Sequence, residues 1–153
     1  MVNSLDICAR EMLDVMPLVM QDFRRTMRSQ SAPDLRVPEL RSLAFLRHNT
    51  GSNLTDLAEY IGVSLPSMSK LVDTLTSRGF IERTPDTSDR RRVRLGLTEA
   101  GLAILATARE AVKASFAAKL ARLTPDEVAT ITASMALLNT LFALAPEGDE
   151  TGS

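Results

Sequence analysis

Apolar residues recur at helical spacing near both ends of the chain. Over residues 5–27 they repeat every three or four positions and form one stripe, which predicts an amphipathic α-helix. Towards the other end of the chain, a helix is predicted from a cap at Thr98 to about residue 122. The last helix begins at 124–127, where Thr-Pro-Asp-Glu is a capping box with proline at the first helical position. Pro17 lies within the first stripe and predicts an interruption and a bend there.

Shorter apolar repeats in the middle of the chain predict a helix-turn-helix. Helices are expected over 38–49, over 54–61 with Asn53 as the cap, and after a cap at Ser64. Two helices that cross at a tight turn need a small residue where they meet and a positive φ at the bend, which Ala58 and Gly62 supply. The side chains expected inside are Leu57, Ile61, Val63, Met68, Leu71, Val72 and Leu75, with Leu40, Leu43, Ala44 and Leu46 of the preceding helix beneath them.

A β-hairpin is predicted directly after this unit. Gly79 closes the helix, the strands are expected over 81–84 and 92–97, and the residues between them at 85–89 are typical of turns. Four arginines follow the turn within five residues, at positions 90, 91, 92 and 94. They repel one another unless an anion neutralises them, and DNA phosphates do so while releasing counterions. A solvated hairpin with ordinary surface charge is the alternative interpretation.

Charge is distributed unevenly along the chain. The formal net charge is −1, yet residues 60–94 hold seven basic and four acidic residues, so this segment is positive and the remainder is negative. A nearly neutral protein can still bind nucleic acid when its positive charge lies on one face. The chain shows no signal peptide, no apolar run long enough to span a membrane and one cysteine, so we expect a cytoplasmic protein with no membrane partner.

Five strings of this central region together resemble the MarR family of bacterial transcriptional regulators. They are Leu57-Ala58-Glu59-Tyr60-Ile61-Gly62-Val63-Ser64, Pro66-Ser67-Met68-Ser69-Lys70-Leu71-Val72-Asp73, Gly79-Phe80-Ile81-Glu82-Arg83, Asp89-Arg90-Arg91 and Leu97-Thr98-Glu99-Ala100-Gly101. The resemblance implies a dimeric winged-helix protein, in which Arg91 enters the minor groove, Asp89 orients it, and residues 65–70 approach bases in the major groove. It spans most of residues 5–145, and its central third carries the specific motifs.

Two positions depart from the family pattern. Lys70 stands where an arginine is usual, so bidentate reading of guanine is replaced by a less directional contact. Leu65 stands where a polar or basic residue is common, and it either contacts a thymine methyl group or packs at the start of the helix. The residues expected to bind DNA are Ser64, Leu65, Pro66, Ser67, Ser69, Lys70, Arg83, Asp89, Arg90, Arg91 and Arg92.

The predicted fold class is mainly α with a small β-hairpin wing. We expect one winged-helix unit over 1–145, with the DNA-binding part at 38–97, dimerisation helices at 5–28 and 99–144, and a flexible tail at 146–153. The helices at the two ends of the chain each carry an apolar stripe, and too little of the chain is left to cover both stripes. This favours pairing with a second copy of the chain. A two-fold dimer would present two recognition helices to half-sites about 10 bp apart.

These features predict a sequence-specific regulator that binds double-stranded DNA as a homodimer on a pseudo-palindromic operator, and a ligand-responsive repressor in particular. In the family, small aromatic or lipophilic effectors enter a cavity between the dimer helices and the DNA module. Four side chains of the first helix could line such a site, or could equally be plain core, since methionine adapts to varied shapes. They are Met12, Met16, Met20 and Phe23.

Other functions stay open as alternatives. Cys8 could sense peroxides, as a first-helix cysteine does in some relatives, although a cysteine on an apolar stripe is usually inert packing. A winged helix used only for protein contact is a further possibility. With His48 as the only histidine, the chain cannot assemble a catalytic triad or a zinc site of several His or Cys ligands, so we expect no enzymatic activity, metal or cofactor.

Overall fold

The computed structural model describes residues 3–29 and 33–143, and these form six helices and one two-stranded sheet. In chain order the elements are α1 (Ser4–Met27), α2 (Val37–His48), α3 (Leu54–Ile61), α4 (Leu65–Ser77), β1 (Ile81–Pro85), β2 (Val93–Leu97), α5 (Glu99–Leu120) and α6 (Pro125–Ala143). The predicted mainly α fold with a hairpin is confirmed. The chain divides into two compact units at residue 114, and the tail expected at 146–153 lies outside the described residues.

The core of the first unit is formed by aliphatic side chains from α2, α3, α4 and α5. Its most deeply buried members are Leu43, Leu46, Leu57, Met68, Val72, Leu75 and Leu105. The apolar face predicted for α4 is buried as expected, whereas the interior position expected for Val63 is wrong, because this side chain is 38% exposed. Val63 follows Gly62 in the turn itself, where its amide donates to the carbonyl of Ala58 (3.1 Å) and its side chain stays in contact with solvent.

The hairpin is antiparallel, with Ile81 opposite Leu97 at its base and Pro85 opposite Val93 near its tip. A short extended segment before α3 extends the pairing on the other side of β2. The amide of Leu95 donates to the carbonyl of Ser52 (2.9 Å), and the amide of Gly51 donates to the carbonyl of Leu95 (3.0 Å). This bridge attaches the base of the wing to the start of the helix-turn-helix.

The first turn of α5 packs closely against the residue that precedes β1. The hydroxyl of Thr98 caps α5 by accepting from the amide of Gly101 (3.0 Å), and the amide of Thr98 donates to the carbonyl of Phe80 (3.2 Å). A Cβ at position 101 would lie 2.1 Å from the oxygen of that carbonyl. Only glycine therefore allows this approach.

Helix α1 is continuous through Pro17, so the predicted interruption is wrong. Pro17 removes a single backbone hydrogen bond, the one to the carbonyl of Leu13, and the helix continues because the turns on either side keep theirs. In the second unit, α6 begins at the predicted capping box. The amide of Thr124 donates to the Glu127 carboxylate (2.8 Å), and the amide of Glu127 donates to the Thr124 hydroxyl (3.3 Å). Hydrogen bonds from the Thr124 amide and hydroxyl lower the pKa of Glu127.

Candidate nucleic-acid interface

The turn between α3 and α4 is fixed by local hydrogen bonds. Asn53 caps α3 by accepting from the amide of Asp56 (2.8 Å). The chain then reverses at Gly62, which has φ of +80° and donates to the carbonyl of Ala58 (2.9 Å). A positive φ is rarely adopted by residues with side chains, so glycine is required for this bend.

The N-terminal half of α4 presents the predicted reading residues to solvent. Ser64 is the N-cap, and its hydroxyl accepts from the amide of Ser67 (3.3 Å) while donating to the hydroxyl of Ser67 (3.0 Å). Leu65, Pro66 and Lys70 are exposed, and Ser69 is half-buried. This surface carries one positive charge and no acidic residue until Asp73. It is therefore suited to approach a polyanion.

The tip of the wing is held by two aspartates that bind backbone amides. Asp86 accepts from the amide of Ser88 (3.0 Å) and from its hydroxyl (2.9 Å). Asp89 accepts from the amide of Arg91 (3.0 Å). Aspartate side chains that accept from the backbone two residues on stabilise tight turns. The aspartates therefore shape the loop that carries the arginines.

Two of the four wing arginines have an acidic partner within the hairpin. Arg94 lies 3.3 Å from Asp86, and Arg92 lies 3.8 Å from Asp89. The mutual repulsion expected from the sequence is thus partly neutralised inside the wing. In the described part of the chain, Arg90 and Arg91 have no acidic side chain within ion-pair distance, so these two guanidinium groups are available for an outside anion.

Asp86 carries the clearest electrostatic signature of the wing. The hydrogen bonds from Ser88, first from its amide and then from its hydroxyl, lower the pKa of this carboxyl. Burial opposes them in part, and the charge of Arg94 makes a smaller contribution that lowers the pKa further. Hydrogen bonds to a carboxylate favour its charged form. Asp86 is therefore ionised at neutral pH and holds Arg94 at the base of the turn.

Arg83 connects the wing to α4. It extends from β1 and forms an ion pair with Asp73 on α4. Asp73 is the first acidic residue after the reading surface along α4, and this pairing offsets its charge. Arg83 is thus engaged within the protein, unlike Lys70, Arg90 and Arg91. The ion pair with Asp73 therefore favours a role for Arg83 in orienting the wing relative to α4.

The residues considered for an effector lie along α1. Met12, Met20 and Phe23 are half-buried and Met16 is exposed. A cavity of about 820 Å³ opens beyond them, at the end of α1 and the start of α2. Its lining consists of Arg24, Met27, Arg28, Ser29, Pro33, Asp34, Leu35, Arg36, Val37 and Pro38, and includes none of those four. The sequence signal that points to it is the basic cluster at the end of the first helix.

Cys8 is exposed on α1. The only tyrosine, Tyr60, stacks on Phe45 with ring centroids 4.5 Å apart, and Arg41 lies 5.6 Å from the Tyr60 ring centroid. Within residues 3–29 and 33–143, no group of three or more His, Cys, Asp or Glu side chains is arranged to hold a metal ion. No helix in the same ranges is long and apolar enough to cross a membrane.

Sequence comparison places this chain among known regulators. The sequence model of the MarR family matches residues 35–93. Mb0904 of Mycobacterium bovis, an uncharacterised helix-turn-helix regulator, is 31% identical over 124 residues that cover 80% of this chain and 86% of that protein. YfiV of Bacillus subtilis, also an uncharacterised regulator of this type, is 28% identical over 69% of this chain and 66% of its own length.

Solved structures show the same fold. Rv1404 from Mycobacterium tuberculosis has a TM-score of 0.77 at 21% identity and covers 95% of this chain and 98% of its own. Apo MarR from E. coli has a TM-score of 0.70 at 25% identity, covering 82% and 94%. A MepR variant from S. aureus, solved with a bound oligodeoxyribonucleotide, has a TM-score of 0.62 at 19% identity, covering 87% and 96%.

The helix-turn-helix, the exposed face of α4 and the arginine-bearing hairpin define a DNA-binding winged-helix regulator of transcription. The matched segment contains the helix-turn-helix, β1 and the turn of the hairpin, and it ends at Val93, the first residue of β2. The chain belongs to the MarR family.

Proposed function

We propose that this protein is a homodimeric repressor that binds a pseudo-palindromic operator. The observation that carries the proposal is the pairing of an acid-free reading surface on α4 with a wing that holds Arg90 and Arg91 without acidic partners. Charge that is not neutralised within the protein is available for phosphates and for the minor groove, where narrow A·T-rich segments attract arginine. A regulator of transcription acts on chromosomal DNA, and we therefore place it in the cytoplasm.

The reading residues fall into two groups in this proposal. Lys70 and Ser69 face the major groove, together with Ser64, Leu65, Pro66 and Ser67 at the start of α4. Arg91 enters the minor groove, and Arg90 meets phosphate. Arg92, Arg83 and Asp89 hold the wing in position through the contacts described above. The DNA-bound MepR variant supports this assignment only as a protein of the same fold.

A second copy of the chain is the partner that the exposed apolar helices favour. In α1 the large hydrophobic side chains Leu5, Leu13 and Leu18 are mostly exposed, and in α6 the same holds for Leu137, Leu141 and Phe142. No described residue of α6 is buried in the single chain. Exposed apolar surface of this extent is typical of an interface. We propose that α1, α5 and α6 form the homodimer.

We also propose that a small aromatic or lipophilic effector controls DNA binding. The cavity at the end of α1 supports an acidic effector, because Arg24 and Arg28 lie beside apolar side chains such as Met27 and Leu35. Apolar walls with a few convergent charges are typical of ligand sites. The surface of Met12, Met16, Met20 and Phe23 on α1 remains a second place where such a compound could bind.

Fluorescence anisotropy with a duplex selected from random DNA tests the proposal. We expect Arg91→Ala to weaken binding to that duplex by about 1–3 kcal/mol and to relax preference at its outer flanks. Arg90→Ala should weaken binding to the selected and scrambled duplexes equally. It should also reduce the slope of log affinity against log salt concentration by about one unit. Arg47→Ala removes an equal charge from the exposed surface of α2, outside the helices assigned to the dimer, and serves as the matched control.

Retention on immobilised DNA across a salt gradient separates this function from a protein-contact module. A DNA-binding dimer should elute later than its Arg90→Ala variant. If parent and variant elute together at low salt, or if Arg91→Ala binds the selected duplex as tightly as the parent, the wing does not read DNA and the proposal is refuted at that element.

A further inference from the structure

A buried carboxylate lies where the end of α4 meets the start of α2. Glu39 is 3% exposed. One of its oxygens accepts from the Arg36 amide (2.8 Å) and the other from the Arg36 guanidinium (2.9 Å). Arg78, the residue that ends α4, places its Nη1 atom 3.9 Å from Glu39. Charged groups at such depth are almost always paired.

Arg78 is held by three different groups. Besides Glu39, its Nη2 atom donates to the backbone carbonyl of Asp34 (2.7 Å), in the connection between α1 and α2. Its guanidinium carbon lies 5.0 Å from the centroid of the Phe80 ring. A planar guanidinium presents its donors in a rigid fork, whereas an ammonium group is a compact point charge without that fixed geometry.

Arg78 and Glu39 do not face the DNA-reading surface. Arg78 follows the C-terminal end of α4, whereas the reading residues occupy its first two turns. The contacts of Arg78 all lead towards the segment 34–39 and towards Phe80. Two members of this cluster, Asp34 and Arg36, also line the cavity at the end of α1. The cluster therefore links α4 to the wall of that cavity.

We propose that Arg78 and Glu39 are positioning residues that set the orientation of α4 for sequence reading. The inference rests on the proposed DNA-binding function. It adds that preference for the correct sequence depends on an ion pair at the opposite end of α4 from the bases. Phosphate contacts, which carry most of the non-specific affinity, come from the wing and do not depend on the pair. Loss of the pair should thus lower specificity and leave general DNA affinity intact.

The test compares Arg78→Gln, Glu39→Gln and the double variant with the parent, using selected and scrambled duplexes. We expect each single variant to reduce the ratio of the two affinities about tenfold, with less than about a twofold change for the scrambled duplex. The double variant should lose less than the sum of the two single losses, because both single variants remove the ion pair between Arg78 and Glu39. Arg47→Gln makes the same change of charge at an exposed position of α2, outside the residues assigned to DNA and the helices assigned to the dimer, and should leave the ratio unchanged.

Hydrogen exchange in the absence of DNA provides an independent measurement. Amides of residues 74–80 should exchange faster in both single variants than in the parent, since the end of α4 loses its attachment. Arg78→Lys keeps the charge but cannot serve Asp34 and Glu39 together, and it should show an intermediate ratio. It replaces Arg78→Gln if that variant fails to fold.

Three results would overturn the inference. Equal losses for selected and scrambled duplexes would mean that Arg78 contacts phosphate. Additive losses in the double variant would mean that the two residues act separately. Faster exchange with an unchanged affinity ratio would mean that the pair stabilises the fold without setting α4. A parent protein that shows no preference for any selected duplex would instead refute the proposed function, and the exchange measurement would then decide whether the pair anchors α4.

Discussion

Gly101 illustrates how a missing side chain determines a junction between elements. The residue lies in the first turn of α5, where a Cβ would come within 2.1 Å of the Phe80 carbonyl oxygen and 3.0 Å of its carbon. Both atoms belong to the backbone, which cannot move aside as the end of a flexible side chain can. The Leu-Thr-x-x-Gly motif therefore has a steric cause in this fold, because threonine caps the helix and glycine leaves room for the backbone of Phe80.

We expect Gly101→Ala to lower the free energy of unfolding by about 2–3 kcal/mol, in the range of overpacking at a close contact. Urea unfolding followed by circular dichroism measures the change. Gly96→Ala is the matched control, because a Cβ there would be 3.8 Å from the nearest atom, a side-chain oxygen of Glu82. If Gly101→Ala unfolds at the same urea concentration as the parent protein, the contact between residue 101 and the Phe80 carbonyl is not tight in solution.

The possible role of Cys8 as a peroxide sensor can be tested by substituting this residue. Its thiol is exposed in the chain, and Tyr60 is engaged by Phe45 and Arg41. We expect Cys8→Ser to bind the selected duplex as the parent does, and cumene hydroperoxide to leave the affinity of both unchanged. Loss of binding by the parent on peroxide treatment, with the serine variant unaffected, would make Cys8 a redox switch and reverse this prediction.

The ionised carboxylate of Asp86 is one of the two aspartate groups that hold the wing. Because the pKa of Asp86 is lowered from its ordinary value of 3.8, the charged carboxyl contributes stability that is fully present above 3.8 and is lost as pH falls through the lower value of the folded protein. Its cause is chiefly the hydrogen bond from the Ser88 amide. The wing should therefore keep one conformation across the neutral range and loosen only in strong acid.

An acid titration followed by NMR checks this expectation. The amides of Ser88 and Arg94 should shift together with the Asp86 carboxyl, with a midpoint below 3.8. Asp86→Asn keeps an acceptor for Ser88 but has no charge to lose, and its Ser88 and Arg94 amides should not report that transition. A midpoint at or above 3.8 in the parent would contradict the hydrogen-bonded turn.

At the scale of the whole molecule, the apolar faces of α1 and α6 predict a stable dimer. Light scattering at micromolar concentration should give twice the 16.7 kDa mass of one chain. Leu13→Glu places a charge on a side chain that is 75% exposed in α1, and it should shift the protein towards monomer. Val63→Glu places the same charge on an exposed apolar residue outside these helices and should remain dimeric.

Removal of α6 extends this test. A chain that ends before residue 125 should be poorly soluble, because any apolar surface that α6 covers in the dimer would face water. A monomer mass for the full chain, or a soluble and well-folded product after this deletion, would show that the two faces serve something other than a second copy.

Much of this structure could be predicted from the sequence, because it depends on interactions between residues that are close to each other along the chain. Asn53, Ser64, Thr98 and Thr124 cap helices at the predicted positions, because a cap needs only a short polar side chain and the next few amides. Gly62 and Gly79 adopt positive φ where the helices were expected to end. The buried face of α4 followed from helical spacing alone. The family motifs likewise lie within one contiguous region.

Tertiary structure decided what depends on neighbours distant in sequence. Pairing of Ser52 with Leu95, of Arg83 with Asp73 and of Arg78 with Glu39 joins residues that no local pattern connects. In the sequence, the four wing arginines are equivalent charges. In the structure, Arg92 and Arg94 have acidic partners within the hairpin, and Arg90 and Arg91 are left for an outside anion. Helical spacing determines which face of a helix is apolar, whereas the charges that remain available are determined only when the fold brings side chains within a few ångströms of each other.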